Sequence, residues 1–585
     1  MARRPNIVFI LTDDQGYPPL GCHGHPLVQT PHLDRFHGEA VRFEDFHSGT
    51  TCAPTRAGLM TGHHCNSTGV WHTLGGRSLL RRNEWSLAEA LRGAGYRTAL
   101  FGKWHLGDEV PYRPQDRGFD LAVCHGGGGI AQQPDWWGND YFDDTYRVNG
   151  APRRFEGYCT DVFFRLAEEF IDECARTPFF CFVSTNAPHS PFNVAPRYRD
   201  LYADKASNEN YARFLGMITN IDENFGRLRA HLAARGLEED TILVFMSDNG
   251  QTPVDGSFRG QYNAGMRGLK GSPYEGGHRV PFFMRWPSGG IGGGRAVDAL
   301  AAYVDFMPTI LDLCGIAVPE GRSFHGQSLA SLARGESGGS EWTDRVVVTD
   351  TQRLAYPVKW RLSCAMRGRW RLIGRDWLYD LVSDPAQRTD VAAAHPEVVA
   401  DLREAYEAWW ELCAEQLDAE TPIALGAPGQ AVAVLNAHDL RNDLDLGVVW
   451  NQGQVRAGEA CHGWWEVDVA REGTFEIELR RWPVESGHGV ADGIDGRDVE
   501  IDLEGLQPGA EDWFEGGRAL PIDAAVLDIS GLAQQHCALG PDAACASFRV
   551  ALPEGPRRLR ARFTSANGYY ASAYYVYVRR LEMGA

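Results

Sequence analysis

Residues able to do chemistry stand in short polar runs spread over the first half of the chain. Thr51-Cys52-Ala53-Pro54-Thr55-Arg56 leads into Ala57-Gly58-Leu59-Met60-Thr61-Gly62. Pro54 suits the first turn of a helix, because its fixed φ is helical and its missing donor is not needed there. Gly62 can end that helix. Cys52 then stands at the helix N-terminus, where free N–H groups and the positive end of the dipole favour an anion. Arg56, about one turn further on, can reach the same anion with a planar guanidinium. Alone, Cys-x-Pro-x-Arg reads as a buried cysteine before an ordinary helix. Its companions change that. Asp13-Asp14 and Asp248-Asn249 offer three carboxylates and an amide, oxygen ligands that suit a hard divalent cation, Ca²⁺ or Mg²⁺. Arg56, Lys103 and Lys270 supply positive charge, and His105 and His189 supply imidazoles. Three carboxylates, one divalent cation and three basic side chains leave a charge of about +2, which selects for a small anion.

Four apolar runs must deliver these groups. Residues 6–11 lead into Thr12-Asp13-Asp14, 97–101 into Gly102-Lys103-Trp104-His105, 179–183 into the run from Ser184 to His189, and 241–246 into Ser247-Asp248-Asn249-Gly250. Continuous apolar runs of this length suit strands buried on both faces of a parallel sheet. In open α/β sheets, ligands bind just beyond the carboxyl ends of the strands, so four such strands bring their polar groups to one rim. Lys270 lies in a glycine-rich run, residues 267–277, able to approach a ligand closely. Helical patterns fill the gaps: Ser86 to Glu89 reads as a capping box opening a helix that Gly95 can close, and 161–176 and 208–235 are amphipathic. The alternation predicts an α/β fold with helices on both faces of a mostly parallel sheet. Residues 126–150, rich in glycine and aromatics without period, predict a long surface loop.

Together these segments resemble the type I sulfatases. Cys52-Ala-Pro-Thr-Arg56 with Leu59 and Thr61-Gly62 looks like that family's defining motif, with Thr55 at a variable position. Asp13-Asp14, Gly102-Lys-Trp-His-Leu-Gly107, Pro188-His189, Asp248-Asn249-Gly250, and Lys270 with Tyr274-Glu-Gly-Gly277 follow in the family's order. Residues 307–311, 378–381 and Asp384-Pro385 are also family-like, so the resemblance spans roughly 5–415. It implies an alkaline-phosphatase-like fold, one Ca²⁺, and oxidation of Cys52 to formylglycine by a formylglycine-generating enzyme. It also implies hydrolysis of a sulfate monoester, on a sulfated carbohydrate or an aryl alcohol. In that scheme Asp13, Asp14, Cys52, Asp248 and Asn249 hold the metal. Asp248 activates the gem-diol, Arg56 and Lys103 hold the sulfate, His189 and Lys270 serve the leaving alcohol, and His105 takes the second diol proton. Trp71, His72, His125, Trp136, Trp137 and Arg353 are candidates for the alcohol side. Two alternatives stand beside it: a phosphonate or phosphate ester hydrolase on the same site, and a non-catalytic protein that binds sulfated glycans through its C-terminal β domain.

Length and composition frame this reading. At 585 residues the chain exceeds one core, and it divides as a catalytic α/β domain 1–344, a small antiparallel sheet with one helix 345–416, a linker 417–437 and a β-sandwich-like domain 438–585. The small unit takes strands near 361–366 and 370–374 and a helix near 396–415. The last domain shows period-2 alternation at 474–480, 557–563 and 573–579. Net charge is -20, which argues against nucleic-acid and membrane partners; the small sulfated substrate is what the resemblance implies, and a homo-oligomer is allowed. Only four lysines occur, Lys103, Lys205, Lys270 and Lys359, and two of them fall in the motifs above. Thirteen cysteines without a secretion signal predict reduced thiols in the cytoplasm, or the periplasm or exterior if a signal has been removed.

Overall fold

The computed structural model describes residues 4–174, 177–254, 260–336, 339–442, 447–496 and 514–582. Its centre is a ten-stranded mixed sheet. The strands are β1 (Asn6–Thr12), β2 (Val41–Phe43), β3 (Arg97–Gly102), β4 (Leu121–Cys124), β5 (Thr145–Val148), β6 (Ala151–Arg154), β7 (Phe179–Ser184), β8 (Thr241–Ser247), β9 (Phe282–Arg285) and β10 (Ala296–Val297), in the order β10-β2-β9-β8-β1-β7-β3-β4-β5-β6. The five strands from β8 to β4 are parallel, and β9, β5 and β6 close the flanks antiparallel. Register places Thr12 beside Ser247, and Ser184 beside both Leu11 and Gly102. The four apolar runs therefore end level with one another, at adjacent positions on one rim.

Alternate residues of these strands feed two cores. Ile7, Phe9 and Leu11 pack with α2 (Cys52–Thr61), α3 (Leu87–Gly93) and the helix Phe306–Leu313. Val8 and Ile10 face the opposite layer, with α1 (Pro31–Glu39) and the helices Cys159–Cys174 and Glu209–Ala234. Residues 7–11 are wholly buried, each large apolar side chain contributing about 1.5–3 kcal/mol. Ser86 caps α3 as expected, its hydroxyl accepting from Glu89 N at 3.1 Å while Glu89 Oε2 accepts from Ser86 N at 2.7 Å. Of the helix expected over 161–176, residues 175 and 176 lie outside the described residues.

A second sheet, Val347–Asp350, Ser363–Arg367, Trp370–Ile373 and Trp377–Asp380, is antiparallel. It places Val347, Cys364 and Met366 against the first core and Val348, Ala365 and Leu372 against the helix Pro396–Ala414. Beyond it two sheets enclose a third core. One pairs Ile423–Leu425, Trp465–Val469, Gly555–Thr564, Ala524–Ile529 and Gln535–Ala538, with Tyr570–Ser572 on the side. The other pairs Val432–Asn436, Tyr575–Arg580, Gly473–Arg480 and Ala546–Leu552.

Two expectations are corrected. Residues 417–437 are no plain linker, because Ile423–Leu425 and Val432–Asn436 are strands of the C-terminal sheets. Residues 126–150 are no surface loop either. Most of 126–141 is buried, and 145–148 form β5. The C-terminal sheets cover this stretch: Tyr575 Oη donates to Gln133 O at 3.0 Å, and Gln133 Nε2 donates to Tyr574 O at 2.9 Å. All thirteen cysteines are free thiols. No helix among the described residues is long and apolar enough to cross a membrane.

Candidate active site

Asp13 and Asp14 follow β1, and Asp248 and Asn249 follow β8, its neighbour in the sheet. Asp14 sits in the left-handed region at φ 66, as do His105 at φ 61 and Arg353 at φ 50. Such backbone costs about 1–3 kcal/mol for a side-chain-bearing residue and persists where the surroundings dictate it. Here it turns Asp14 back, so that its N–H donates to Asp248 Oδ1 at 3.1 Å. Gly250 continues the turn where a Cβ would lie 2.1 Å from Gly276 O.

α2 starts at Cys52, and Gly62 caps it at φ 71. Cys52, Asp13 and Asp248 are buried, and one ligand atom from each lies within 4.8 Å of the others. One turn along α2, Arg56 Nε and Nη2 donate to Asp248 Oδ2 at 3.0 and 2.8 Å, and Nη1 donates to Lys103 O at 3.1 Å and Ser184 Oγ at 2.5 Å. Lys103 Nζ donates to Asp13 Oδ2 at 2.6 Å, and Lys270 Nζ to Asp14 Oδ2 at 2.6 Å. Each carboxylate thus has its own cation. The carboxylates retain further acceptor capacity: Asp13 Oδ1 and the amide oxygen of Asn249 are buried with no hydrogen-bond partner. Asp13 and Asp248 meet beside Cys52, a group that could hold a metal ion, while Asn249 Nδ2 donates to Asp14 Oδ1 at 2.9 Å. The Cys52 thiol is a poor ligand for a hard cation.

Protonation follows from this crowding. Burial raises Asp13 against the pull of Lys103. Burial and the Asp13 charge push Asp248 up to about 6, although Arg56 pulls it down. Burial also opposes charge on Asp14, but Lys270, His189 and Lys103 outweigh it and hold that carboxyl well below the usual range. Partial burial opposes charge on Lys270, yet Asp14 and Cys52 raise it and keep its proton on. Burial keeps both imidazoles neutral. His189 falls to about 3, with Lys270 and Lys103 adding to the effect. His105 falls well below its ordinary value, with Lys103 the next cause. His189 Nε2 lies 3.6 Å from Asp14 Oδ2, and its Nδ1 faces Ser190 O at 2.6 Å. His105 Nε2 faces Thr73 O at 3.0 Å, a contact that requires the proton on Nε2 and leaves Nδ1 without a hydrogen-bond partner.

Asp14, Cys52, His105, His189 and Lys270 line a cleft of about 880 Å³ together with His72, Thr73, Gln132, Thr252, Arg353 and Trp450. Of the alcohol-side candidates, His72 and Arg353 are therefore at the cleft. His125 is buried beside Gly126, its Nδ1 3.1 Å from that carbonyl. Trp71 is buried and donates to Leu354 O at 3.1 Å. Trp136 and Trp137 are not brought to the cleft: Trp137 packs edge-on against Trp482, and Trp136 O accepts from Gln452. Both belong to the contact with the C-terminal sheets. Sequence reasoning missed Ser184, Thr73, Gln132 and Trp450. Ser184 was findable, as the first polar residue after its apolar run. Trp450 carried no signal, since it comes from the C-terminal part of the chain.

A family model described as Sulfatase matches residues 5–316, and one described as N-sulphoglucosamine sulphohydrolase, C-terminal, matches 270–408. Arylsulfatase G of Rattus norvegicus is 31% identical over 383 residues, covering 57% of this chain and 70% of the relative. Among solved structures, Ps i-CgsB in complex with k-i-k-neocarrahexaose superposes with a TM-score of 0.63 at 24% identity, covering 70% of this chain and 98% of that one. The phosphonate monoester hydrolase of Agrobacterium radiobacter gives 0.51 at 23%, covering 71% and 97%. The two structures speak for the fold alone, and they share the α/β architecture described above. With the first model spanning more than half of its 585 residues, the chain belongs to the Sulfatase family.

Proposed function

We propose that this site hydrolyses a sulfate monoester, of a sulfated carbohydrate or an aryl alcohol, to the alcohol and inorganic sulfate. The observation that carries the reading is the meeting of Cys52, Asp13 and Asp248 within 4.8 Å, ringed by Arg56, Lys103 and Lys270. Asp13, Asp14, Asp248 and Asn249 would hold Ca²⁺, or Mg²⁺, which when bound supplies positive charge to the sulfate oxygens. Cys52, oxidised to formylglycine by a separate maturation enzyme, would supply a hydrated aldehyde oxygen as nucleophile. The free thiols support a reducing compartment such as the cytoplasm.

The chain's own groups then divide the work. Asp248, fixed by the Arg56 fork and close to Cys52, is the carboxylate placed to take a proton from the nucleophile. Arg56 and Lys103 bring fixed positive charge to the oxygens on which negative charge grows. Lys270 keeps its proton and, with His189, faces the leaving alcohol from the cleft wall. His105 has its tautomer set by Thr73 O, and its Nδ1 can take a proton when sulfate is expelled.

The test compares kcat/KM for 4-nitrophenyl sulfate with that for a 4-nitrophenyl phosphonate. Preference for the sulfate supports the reading; preference for the phosphonate replaces it with the alternative hydrolase. Cys52→Ala is expected to abolish sulfate release while the fold survives, and retained turnover would point to another nucleophile.

A further inference from the structure

A second cleft, of about 620 Å³, shares His72, Leu74 and Arg353 with the one over Cys52. Its remaining walls come from separate parts of the chain. Arg77 belongs to the catalytic unit, Tyr356 to the loop after Val347–Asp350, and Glu420, Arg441 and Trp464 to the C-terminal region. The lining carries three arginines and one carboxylate. Glu420 Oε2 is shared, lying 3.2 Å from Arg77 Nη1 and 2.9 Å from Arg441 Nη2.

Arg441 is the informative member. It is only 6% exposed, its Nη2 donates to Thr421 Oγ1 at 3.1 Å, and its Nη1 has no hydrogen-bond partner. Burial, with Arg77 beside it, lowers its pKa to about 10. A buried guanidinium with an unused donor and half a share of one carboxylate lacks an anion. The walls also carry aromatic rings. Tyr356 is 45% exposed, with the Arg77 guanidinium 4.9 Å from its ring centre, whereas Trp464 is buried, its indole N–H held by Glu466 at 2.7 Å and its ring under Arg558 and Arg560. The exposed Tyr356 ring presents a flat, amphipathic surface to a sugar.

We propose that the second cleft is a subsite for the neighbouring sugar of a polyanionic oligosaccharide, with Arg441 and Arg77 binding its sulfate or carboxylate while the scissile ester lies at Cys52. This rests on the sulfatase reading and narrows it. The substrate is an oligosaccharide chain, and the C-terminal β region, outside the segment that the family models match, forms part of the surface that selects it.

Calorimetric titration of the full chain tests this without needing turnover. Dextran sulfate oligosaccharides carry only sulfate, oligogalacturonides only carboxylate, and glucose 6-sulfate is the one-sugar control. One oligomer series is expected to bind about tenfold tighter than the control, and which series does so identifies the anion. Arg441→Gln should weaken that series about tenfold and leave glucose 6-sulfate binding as it was. Tyr356→Ala, which removes an exposed ring, should weaken it about threefold. If Arg441→Gln changes the melting profile, Tyr356→Ala decides alone. Equal affinity for monomer and oligomer, or losses identical for both, overturns the subsite. Sulfate release from 4-nitrophenyl sulfate is scored separately. A chain that binds oligomers but releases no sulfate sinks the hydrolase reading alone, and one that releases sulfate but ignores chain length sinks the subsite alone.

Discussion

Replacing Arg56 by lysine keeps the charge and removes the fork. The native guanidinium makes four hydrogen bonds: two to Asp248 Oδ2, one to Lys103 O and one to Ser184 Oγ. A lysine ammonium is a compact donor on a flexible stem and cannot span that arc. If it follows the charge to Asp248, the Lys103 carbonyl and the Ser184 hydroxyl are left buried and unpaired. Each orphaned group costs about 1–3 kcal/mol, so Arg56→Lys should lose about 2–6 kcal/mol of stability. Against a typical total of about 5–15 kcal/mol, that is a large lowering of the melting midpoint. Turnover should fall as well, because the fork sets the direction of the Asp248 carboxylate. Loss of one fixed donor from a site of this kind typically costs about 10²–10³ in kcat. Differential scanning fluorimetry reads the first effect and sulfate release under saturating substrate the second. A variant that melts like the wild type and turns over within threefold of it would show that charge alone matters at residue 56. The clamp argued from these four distances would then be wrong.

Four other outcomes follow from the same geometry. A chelator should lower sulfate release, and added Ca²⁺ should restore it, with about one metal per chain by elemental analysis. Asp13→Asn should retain Lys103 as a neighbour but lower metal occupancy at least tenfold, since Asp13 Oδ1 is the carboxylate oxygen left without a partner. Ser86→Ala removes the α3 capping box and should cost about 1 kcal/mol in stability with kcat unchanged. Stability should rise from about pH 5 to about 7 and then level off: His23, His25, His278 and His325, held at about 3–4 by burial, contribute stability that is present above their ordinary 6.5 and lost on acidification. Asp222 and Asp350, raised to about 7 by burial, contribute stability present below the ordinary carboxylate range and lost as pH climbs through 7, so they oppose the histidines over that range without outweighing them, and melting midpoints should fall on the acid side.

The rim of the sheet was legible because two signals coincide there. A strand buried on both faces must be apolar throughout, and it must stop being apolar where the sheet meets a ligand. The runs ending at Asp13, Lys103, Ser184 and Asp248 switch character within one residue, and the register holds those ends level. The C-terminal region was legible only as alternation. Period 2 marks a half-buried strand but does not say what covers its other neighbours. Residues 423–425 and 432–436 are short strands among Ala, Pro and Gly, too brief to show a period, and they read as linker. Trp136 and Trp137 failed for a related reason. An aromatic pair in a glycine-rich stretch has the same composition whether it lines a pocket or meets another sheet, and Trp482, which settles the matter for Trp137, lies 345 positions further along the chain.

The pairing within the site also explains how the fold tolerates it. Asp13, Asp14 and Asp248 are all at most 1% exposed. Three unpaired carboxylates at that depth would protonate or force water in. Each instead has a dedicated cation, in Lys103, Lys270 and Arg56. In the proposed reaction the same cations would meet the sulfate already largely desolvated. This double use has a consequence for mutagenesis. Deleting one member of a buried pair costs about 3–5 kcal/mol because its partner is stranded, whatever that member does to substrate. Lys103→Ala strands Asp13 and Lys270→Ala strands Asp14, so lost activity in either variant does not establish contact with the ester. Metal occupancy and melting midpoint must be read beside kcat. A lysine whose loss lowers kcat while occupancy holds acts on the substrate; one whose loss empties the metal site acts through its aspartate.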